Sequence, residues 1–312
     1  MTFREGSAAD LQATFELSAL TMHATAVGQG VLPADRPLAP DTVRADWQRQ
    51  RSLIEFIAAQ PDGRYVIAEG LDGPVGYARV VRFGAMEEVT ELMVHPDHQH
   101  LGIGRALLER CWPGDPTPDL GRIVVATGAP SDLTLYTQFG VMPAAGHWHM
   151  RARTEEYVPL RTAEVDMPEH NVHVLQPERA VTEWCRLEPG AIGHERAALH
   201  EFFARDRTCL ALPSKDDEEL AGLCWVSSEG EIGPAVAAAP GDVVPVVLAA
   251  LDRVAKTQEP ELLSVYVTSL SWWLIRRLRV LGFRVYWPSW TLCSVPLPGL
   301  DRYVPTRPPH VL

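Results

Sequence analysis

The chain has 312 residues, room for two domains, and its 46% hydrophobic and 22% charged composition is that of a soluble globular protein. A formal net charge of −12 argues against a nucleic-acid partner and mildly favours cationic substrates. No apolar run is long enough to cross a bilayer, the opening residues 1–6 lack a signal-peptide core, and the five cysteines are scattered without C-x-x-C spacing, so a cytoplasmic protein with no membrane, disulfide framework or zinc site is expected.

Phe3-Arg4-Glu5 reads as an opening strand, and Ser7-Ala8-Ala9-Asp10-Leu11 leads into a first helix. Residues 23–41 are rich in Gly and Pro between two helical patterns and read as a long loop, a lid or a plain surface connection. Gly76-Tyr77-Ala78-Arg79-Val80-Val81 reads as a strand, and so does the segment ending in Leu92, Met93 and Val94. Alternation there places Glu91 and Met93 on one face, Leu92 and Val94 on the other. Glu87 and Glu88 precede them on the same strand or its turn.

The stretch Gln99, His100, Leu101, Gly102, Ile103, Gly104 joins that strand to a helix beginning near Arg105. A loop entering a helix presents unpaired backbone N–H groups at the positive end of the helix dipole, and its two glycines suit it as an anion cradle. A dinucleotide fingerprint fails because Leu107 stands at its third glycine, and no Walker Gly-Lys-Ser/Thr follows. His95, His98 and His100 cluster beside this loop, and His147 and His149 alternate further on, but neither group has the Cys/Asp/Glu partners of a metal site. Ile123-Val124-Val125-Ala126 reads as a strand, followed by a short helix and Tyr136-Thr137-Gln138-Phe139-Gly140-Val141.

After a polar, proline-punctuated stretch the element order restarts. Strands are expected at 172–175, 209–212 and 223–226, the last two joined by an acidic turn at 215–219, with a helix at 178–187. A strand at 232–237, a helix near 243–255, a strand at 262–267 and a helix at 272–280 follow, before Leu281-Gly282-Phe283. That triplet parallels Phe139-Gly140-Val141. Trp272 and Trp273 are expected in the core or an interface, a last strand at 291–295, and a proline-rich tail that packs back or frays. Residues 194–200 do not form H-E-x-x-H.

The loop fits Q/R-x-x-G-x-G/A after a strand, which resembles the acetyl-CoA pyrophosphate loop of the GCN5-related N-acetyltransferases (GNAT). The segment at Tyr136 resembles that family's Tyr-x-x-Leu-Gly-Phe element, and the opening strand, first helix and Gly76 strand resemble its earlier elements. The resemblance implies an α/β (α+β) fold of two tandem GNAT-like domains, each a mixed, mostly antiparallel twisted sheet flanked by helices. The expected division is a catalytic domain at 1–153, a linker at 154–167, a second domain at 168–298 and a tail at 299–312. The second copy has Ala239-Pro240-Gly241-Asp242-Val243-Val244 in place of the cradle and Leu278 in place of Tyr136, which makes it a degenerate copy.

The resemblance implies acetyl transfer from acetyl-CoA to a primary amine of a small molecule or peptide, by direct attack in a ternary complex. Glu91 is then the expected base, with Glu87 or Glu88 able to replace it, and Tyr136 the acid that protonates the departing thiolate. Leu92, Met93 and Val94 would hold the pantetheine arm as an added strand, with a bulge there aiming an N–H at the thioester oxygen. Gln99, His100, Leu101, Gly102, Ile103, Gly104 and Arg105 would take the pyrophosphate. The family's Asn and Ala before the phenol are replaced by Ala129 and Asp132, leaving Ser131 to supply some pantetheine contacts. The alternatives are an acyl-CoA-binding regulatory module without turnover and an interaction protein whose halves are both relics. The C-terminal apolar surface permits a homodimer.

Overall fold

The computed structural model describes residues 1–163, 171–214, 219–307 and 312. They divide into two compact units, one of residues 1–124 and 134–141, the other of residues 125–133 and 142–312.

The first unit opens with β1 (Thr2–Glu5), α1 (Leu11–Gly28) and α2 (Pro40–Ala58). β2 (Arg64–Glu69), β3 (Pro74–Phe83) and β4 (Met86–Val94) form an antiparallel meander, with β1 antiparallel to the outer edge of β2. α3 (Ile103–Cys111) then crosses over, as a parallel neighbour requires, to β5 (Gly121–Thr127), whose first half pairs with β4. α4 (Pro130–Thr137) follows. Two apolar clusters hold α1 and α2 to the sheet: Leu11, Phe15, Trp47 and Ile54, and then Leu17, Ile67, Tyr77 and Met93. α3 buries Ile103, Leu107, Leu108 and Cys111, an i, i+4, i+5, i+8 stripe. Gly76 on β3 lets this helix approach closely, because a Cβ there would lie 3.2 Å from Ile103 Cγ2.

The expected loop at 23–41 is shorter in the structure. Residues 23–28 continue α1 because Ala24-Thr25-Ala26-Val27 carries no breaker and buries Ala26. His23 Nε2 lies 2.8 Å from Arg36 O, which ties the remaining connection to the helix.

The second unit contains β6 (Met142–Arg153), α5 (Thr154–Thr162), β7 (His173–Val174), α6 (Pro177–Leu187), α7 (Pro189–Ile192) and α8 (Ala197–Phe203). β8 (Thr208–Pro213), β9 (Leu220–Val226), β10 (Ile232–Ala237), α9 (Val243–Gln258), β11 (Leu262–Thr268), α10 (Trp272–Val280), β12 (Arg284–Cys293) and β13 (Tyr303–Val304) complete it. The run β8–β9–β10–α9–β11–α10–β12 repeats the order β2–β3–β4–α3–β5–α4–β6. Gly140 and Gly282 both take left-handed backbone (φ +80° and +87°) just past α4 and α10, where a helix C-terminus favours glycine. β6 lies antiparallel between β11 and β12, which explains its place in this unit, and β13–β10–β9–β8–β7 form an antiparallel sheet. α9 is the buried helix, with Val243, Val246, Val247, Leu248, Leu251 and Val254 in the core.

Three further expectations are corrected. Residues 154–162, placed in a linker, form α5, since Tyr157 is buried and its hydroxyl donates to Asp252 Oδ1 at 2.6 Å. Trp272 and Trp273 are exposed and so lie outside the core, one of the two places expected, because α10 turns Leu274 and Leu278 inward instead. The strand expected at 291–295 is the end of one continuous β12 over 284–293. The tail packs back through β13, while its residues 308–311, the turn at 215–218 and the linker residues 164–167 lie outside the described residues.

Tyr157 gives a stability test of α5. Tyr157→Ala is expected to cost about 3–5 kcal/mol, the range for a buried aromatic, whereas a linker position would change by less than about 0.5 kcal/mol. Denaturant unfolding monitored by tryptophan fluorescence distinguishes the two.

Candidate functional site

The site grows from one irregularity in β4. Arg79 pairs with Glu91 and Val80 with Val89, so Thr90 is an extra residue, a β-bulge that resets the alternation. Residues directly opposite across an antiparallel pair share a face. Glu88 opposite Val81 and Glu91 opposite Arg79 therefore lie on the same face, although three residues apart. Met93, opposite Tyr77, is on that face too, while Leu92 and Val94 face α3, as alternation predicts. Glu87 turns to the α3 side, where Arg122 Nε stands 3.9 Å from its carboxylate. Arg122 in turn donates to the carbonyls of Phe139 (3.3 Å) and Pro113 (3.2 Å), so Glu87 belongs to a structural pair.

The bulge also separates two strands. Only Met86–Val89 pairs with β5, so from Glu91 to Val94 β4 has β3 on one side and, among the described residues, no strand on the other. A strand edge of this kind offers N–H and C=O groups to an extended ligand.

Glu91 is buried. Tyr77 donates its hydroxyl to Glu91 Oε1 at 2.7 Å, and the Arg79 guanidinium pairs with Oε2. Burial pulls the Arg79 guanidinium down, and Glu91, Tyr77 and Tyr65 together more than offset it. Burial, reinforced by Glu91, pushes the Tyr77 phenol well above its usual range, so it remains a donor. Arg79 also lies over the Tyr65 ring (4.6 Å to the centroid), and the Tyr65 hydroxyl is 2.7 Å from Thr14 Oγ1 on α1. Tyr65 and Thr14 carry no sequence signal for this site; Tyr77 and Arg79 sit in the strand expected at 76–81, but the bulge that brings Glu91 opposite Arg79 has no sequence signal.

Beyond β4, the loop turns tightly. Gln99 Nε2 donates to Val94 O (3.1 Å) and caps the strand's end. His100 and Gly102 both take left-handed backbone, φ +62° and +81°, with the exposed Leu101 between them. Gly102 is the residue before α3 and accepts from Ala106 N (3.0 Å), which leaves Ile103, Gly104 and Arg105 as the first-turn amides. The two glycines differ in purpose. A Cβ on Gly102 would meet nothing within 4 Å, so backbone conformation selects glycine there. A Cβ on Gly104 would point at Leu135 (3.5 Å), Leu92 and Val94 (both 3.9 Å), so that position faces the packing and not the cradle.

Tyr136 is buried near the end of α4. Its neighbour Leu135 packs against Gly104, and Gln138 accepts from the Arg105 guanidinium, so the phenol's helix end rests on the first turn of α3. Ser131 is exposed, with its hydroxyl 3.5 Å from Asp132 Oδ1, and Asp132 also accepts from Thr127. Burial raises the Asp132 carboxyl.

The histidines serve other ends. His95 accepts from Asp97 N at 3.3 Å and meets His98 edge to face. In the second unit, burial keeps His147 and His149 well below the usual imidazole range, and His149 stacks on Tyr266 (4.3 Å). His200 pairs with Glu188 (2.7 Å) in a buried cluster with Arg196 and Tyr303. Among the described residues no group of three or more His, Cys, Asp or Glu side chains is arranged to hold a metal ion.

Residues 61–140, which contain this site, match the family model described as acetyltransferase (GNAT) domain. No curated protein sequence matches the chain. Among solved structures, a presumed acetyltransferase from Pyrococcus horikoshii is 15% identical with a TM-score of 0.71, over 100% of this chain and 95% of that one. A tandem GNAT protein from the clavulanic acid biosynthesis pathway is 18% identical with a TM-score of 0.59, over 95% and 99% of the two chains. A GCN5-related N-acetyltransferase from Sphaerobacter thermophilus is 19% identical with a TM-score of 0.56, over 94% of each. Residues 61–140 are thus matched in sequence to a GNAT acetyltransferase domain, and nearly the whole chain shares its fold with GCN5-related N-acetyltransferases, a tandem GNAT protein among them.

Proposed function

We propose that this acyltransferase moves the acetyl group of acetyl-CoA to a primary amine of a small molecule or peptide, by direct attack in a ternary complex, and that the copy at residues 1–153 does the chemistry. The observation that carries the reading is the placement of the α3 first-turn amides at the end of a strand edge that β5 leaves unpaired. A pyrophosphate at Ile103, Gly104 and Arg105 would direct the pantetheine arm along Leu92, Met93 and Val94 toward the Thr90 bulge. Acetyl-CoA is the co-substrate, and no metal enters the reaction.

An alkylamine with a pKa near 10.4 is mostly protonated at neutral pH, and reaching the free base costs about 4.6 kcal/mol at pH 7. Glu91 takes that proton, through a water, in this reading. A carboxylate has about four lone-pair sites, so the bonds from Tyr77 and Arg79 orient it and still leave sites for the water. Glu88, on the same face, is the second candidate. Tyr136 donates to the departing thiolate. The acceptor amine attacks the thioester carbon, the C–S bond breaks, and the products are the amide and CoA.

The cradle is tested by charge alone at Gly102, whose side-chain direction is open. Calorimetric titration with acetyl-CoA is expected to give one site per chain, kept within a few-fold in Gly102→Asn and weakened at least tenfold in Gly102→Asp. Equal effects would remove the anion-cradle assignment. Binding without acetylation of any amine in a broad panel would instead favour a regulatory acyl-CoA-binding module.

Base and acid are separated by their pH profiles. Glu91→Gln is expected to lower kcat about 10²–10³-fold near pH 7 with acetyl-CoA binding unchanged, as for loss of a general base. The defect should shrink as pH rises toward the amine pKa, where substrate arrives deprotonated. A loss confined to Glu88→Gln moves the role to Glu88. Tyr136→Phe is expected to lower kcat about 10²-fold without that pH relief.

A further inference from the structure

The two units treat the same strand edge differently. In the first, β4 after its bulge has no strand beside it on the β5 side among the described residues. In the second, β10 occupies the corresponding place in the order, carries a register break between Ile232 and Ala235, and leads into α9. Its second edge is taken by β13, with Val236 opposite Tyr303 and Ala235 opposite Val304. β13 touches both β10 and β11, the strands that would flank the cleft.

The course of the tail is specific along its length. Thr268, at the end of β11, and Ser271, just before α10, both donate to Leu300 O. Arg302 donates to Ala238 O (2.8 Å), in the loop that opens α9, and to Gly190 O (2.7 Å). Tyr303 and Val304 are fully buried. Pro305 O lies 2.7 Å from where a Cβ on Gly233 would stand, so only glycine admits the chain at the bulge. Arg307 reaches Glu231 at 3.7 Å. Between Arg302 and Pro305 the segment thus runs from the helix-start end of β10 to its bulge. That is the direction from pyrophosphate to acyl group proposed above for acetyl-CoA on β4, and the comparison rests on that reading.

We propose that residues 300–307 fill, in the second unit, the cleft that acyl-CoA fills in the first, so that the chain closes its second cleft with its own backbone. Tyr303 and Val304 stand for the pantetheine arm, and Arg302 sits at the phosphate end. Nothing else at that site serves an acyl-CoA. β10 carries no carboxylate, Leu278 stands where the first copy has Tyr136, and Asp242 precedes α9, where it repels a phosphate.

Amide hydrogen exchange on the full chain tests this. Acetyl-CoA is expected to slow exchange at least tenfold within residues 91–105 and to leave residues 232–243 unchanged. Slowing at 232–243 in the full chain would overturn the proposal. If acetyl-CoA changes neither region, the acyl-CoA reading of the first unit fails, and the tail is judged without ligand. In that measurement the double variant Thr268→Ala, Ser271→Ala is expected to speed exchange at 235–236 and 303–304 at least tenfold while residues 61–140 keep their rates. Unchanged exchange at 235–236 in this variant, and in a chain ending at Pro298, would show that the tail does not hold this edge and would overturn the proposal.

Discussion

The separation of β4 from β5 after Val89 is the constraint on which the rest of the first unit depends. Inserting Thr90 costs a regular ladder position and leaves the following residues without a partner on one side. Unpaired backbone donors and acceptors are costly unless water or a ligand satisfies them. The same extra residue brings Glu88 and Glu91 to one face. One insertion therefore sets the carboxylates beside the free edge, and neither could be moved independently.

Beneath the edge, the Arg79–Glu91 pair is a second consequence. Taking both charges from water costs several kcal/mol each, and such pairs are often no better for stability than packed apolar side chains. Here the pair is bridged by Tyr77 and covered by Tyr65, so Glu91 has little rotational freedom. Its energetic justification is orientation more than stability. Contrast Glu188 in the second unit, which accepts from Arg196, His200 and Tyr303 together. That cluster joins helices α6 to α8 to the tail and reads as a structural fastening.

What could be read from the residues follows from the range of the interaction involved. Local signals suffice for the turn before α3, since a Gly-bearing turn between an apolar strand and an amphipathic helix is written in consecutive residues. The repeat was legible too, because Leu281-Gly282-Phe283 and Phe139-Gly140-Val141 each follow a helix with a left-handed glycine. Alternation placed Glu91 with Met93 but not with Arg79, since a bulge is a property of two strands and not of one. The stretch at 23–28 was hidden for a related reason. Residues 23–27 carry no breaker, but the Gly and Pro residues that follow give the whole segment 23–41 the look of a loop, and the burial of Ala26 decides for helix. α5 looked like a linker because the groups that retain it, Asp252 and the α9 surface, lie about ninety residues away. Tertiary context outweighs propensity in all these cases.

An open cleft between a bulged strand and its departing neighbour is a thermodynamic liability when no ligand arrives, because it exposes both backbone groups and core side chains. The two units offer two ways of meeting that cost. One leaves the edge open, keeps the Gly-bearing helix start and sets carboxylates beside it. The other supplies a strand covalently, at an effective concentration no free ligand matches. Once Tyr303 and Val304 are paired to β10, the amides of that strand are satisfied whatever stands at the helix start. Asp242 before α9 and Leu278 on α10 then carry no penalty for the fold, although either would damage an acyl-CoA site. If the second copy has no acyl-CoA chemistry, as proposed above, that loss and the course of the tail are one event in packing terms: filling the cleft removes the physical reason to keep residues that would serve a ligand there.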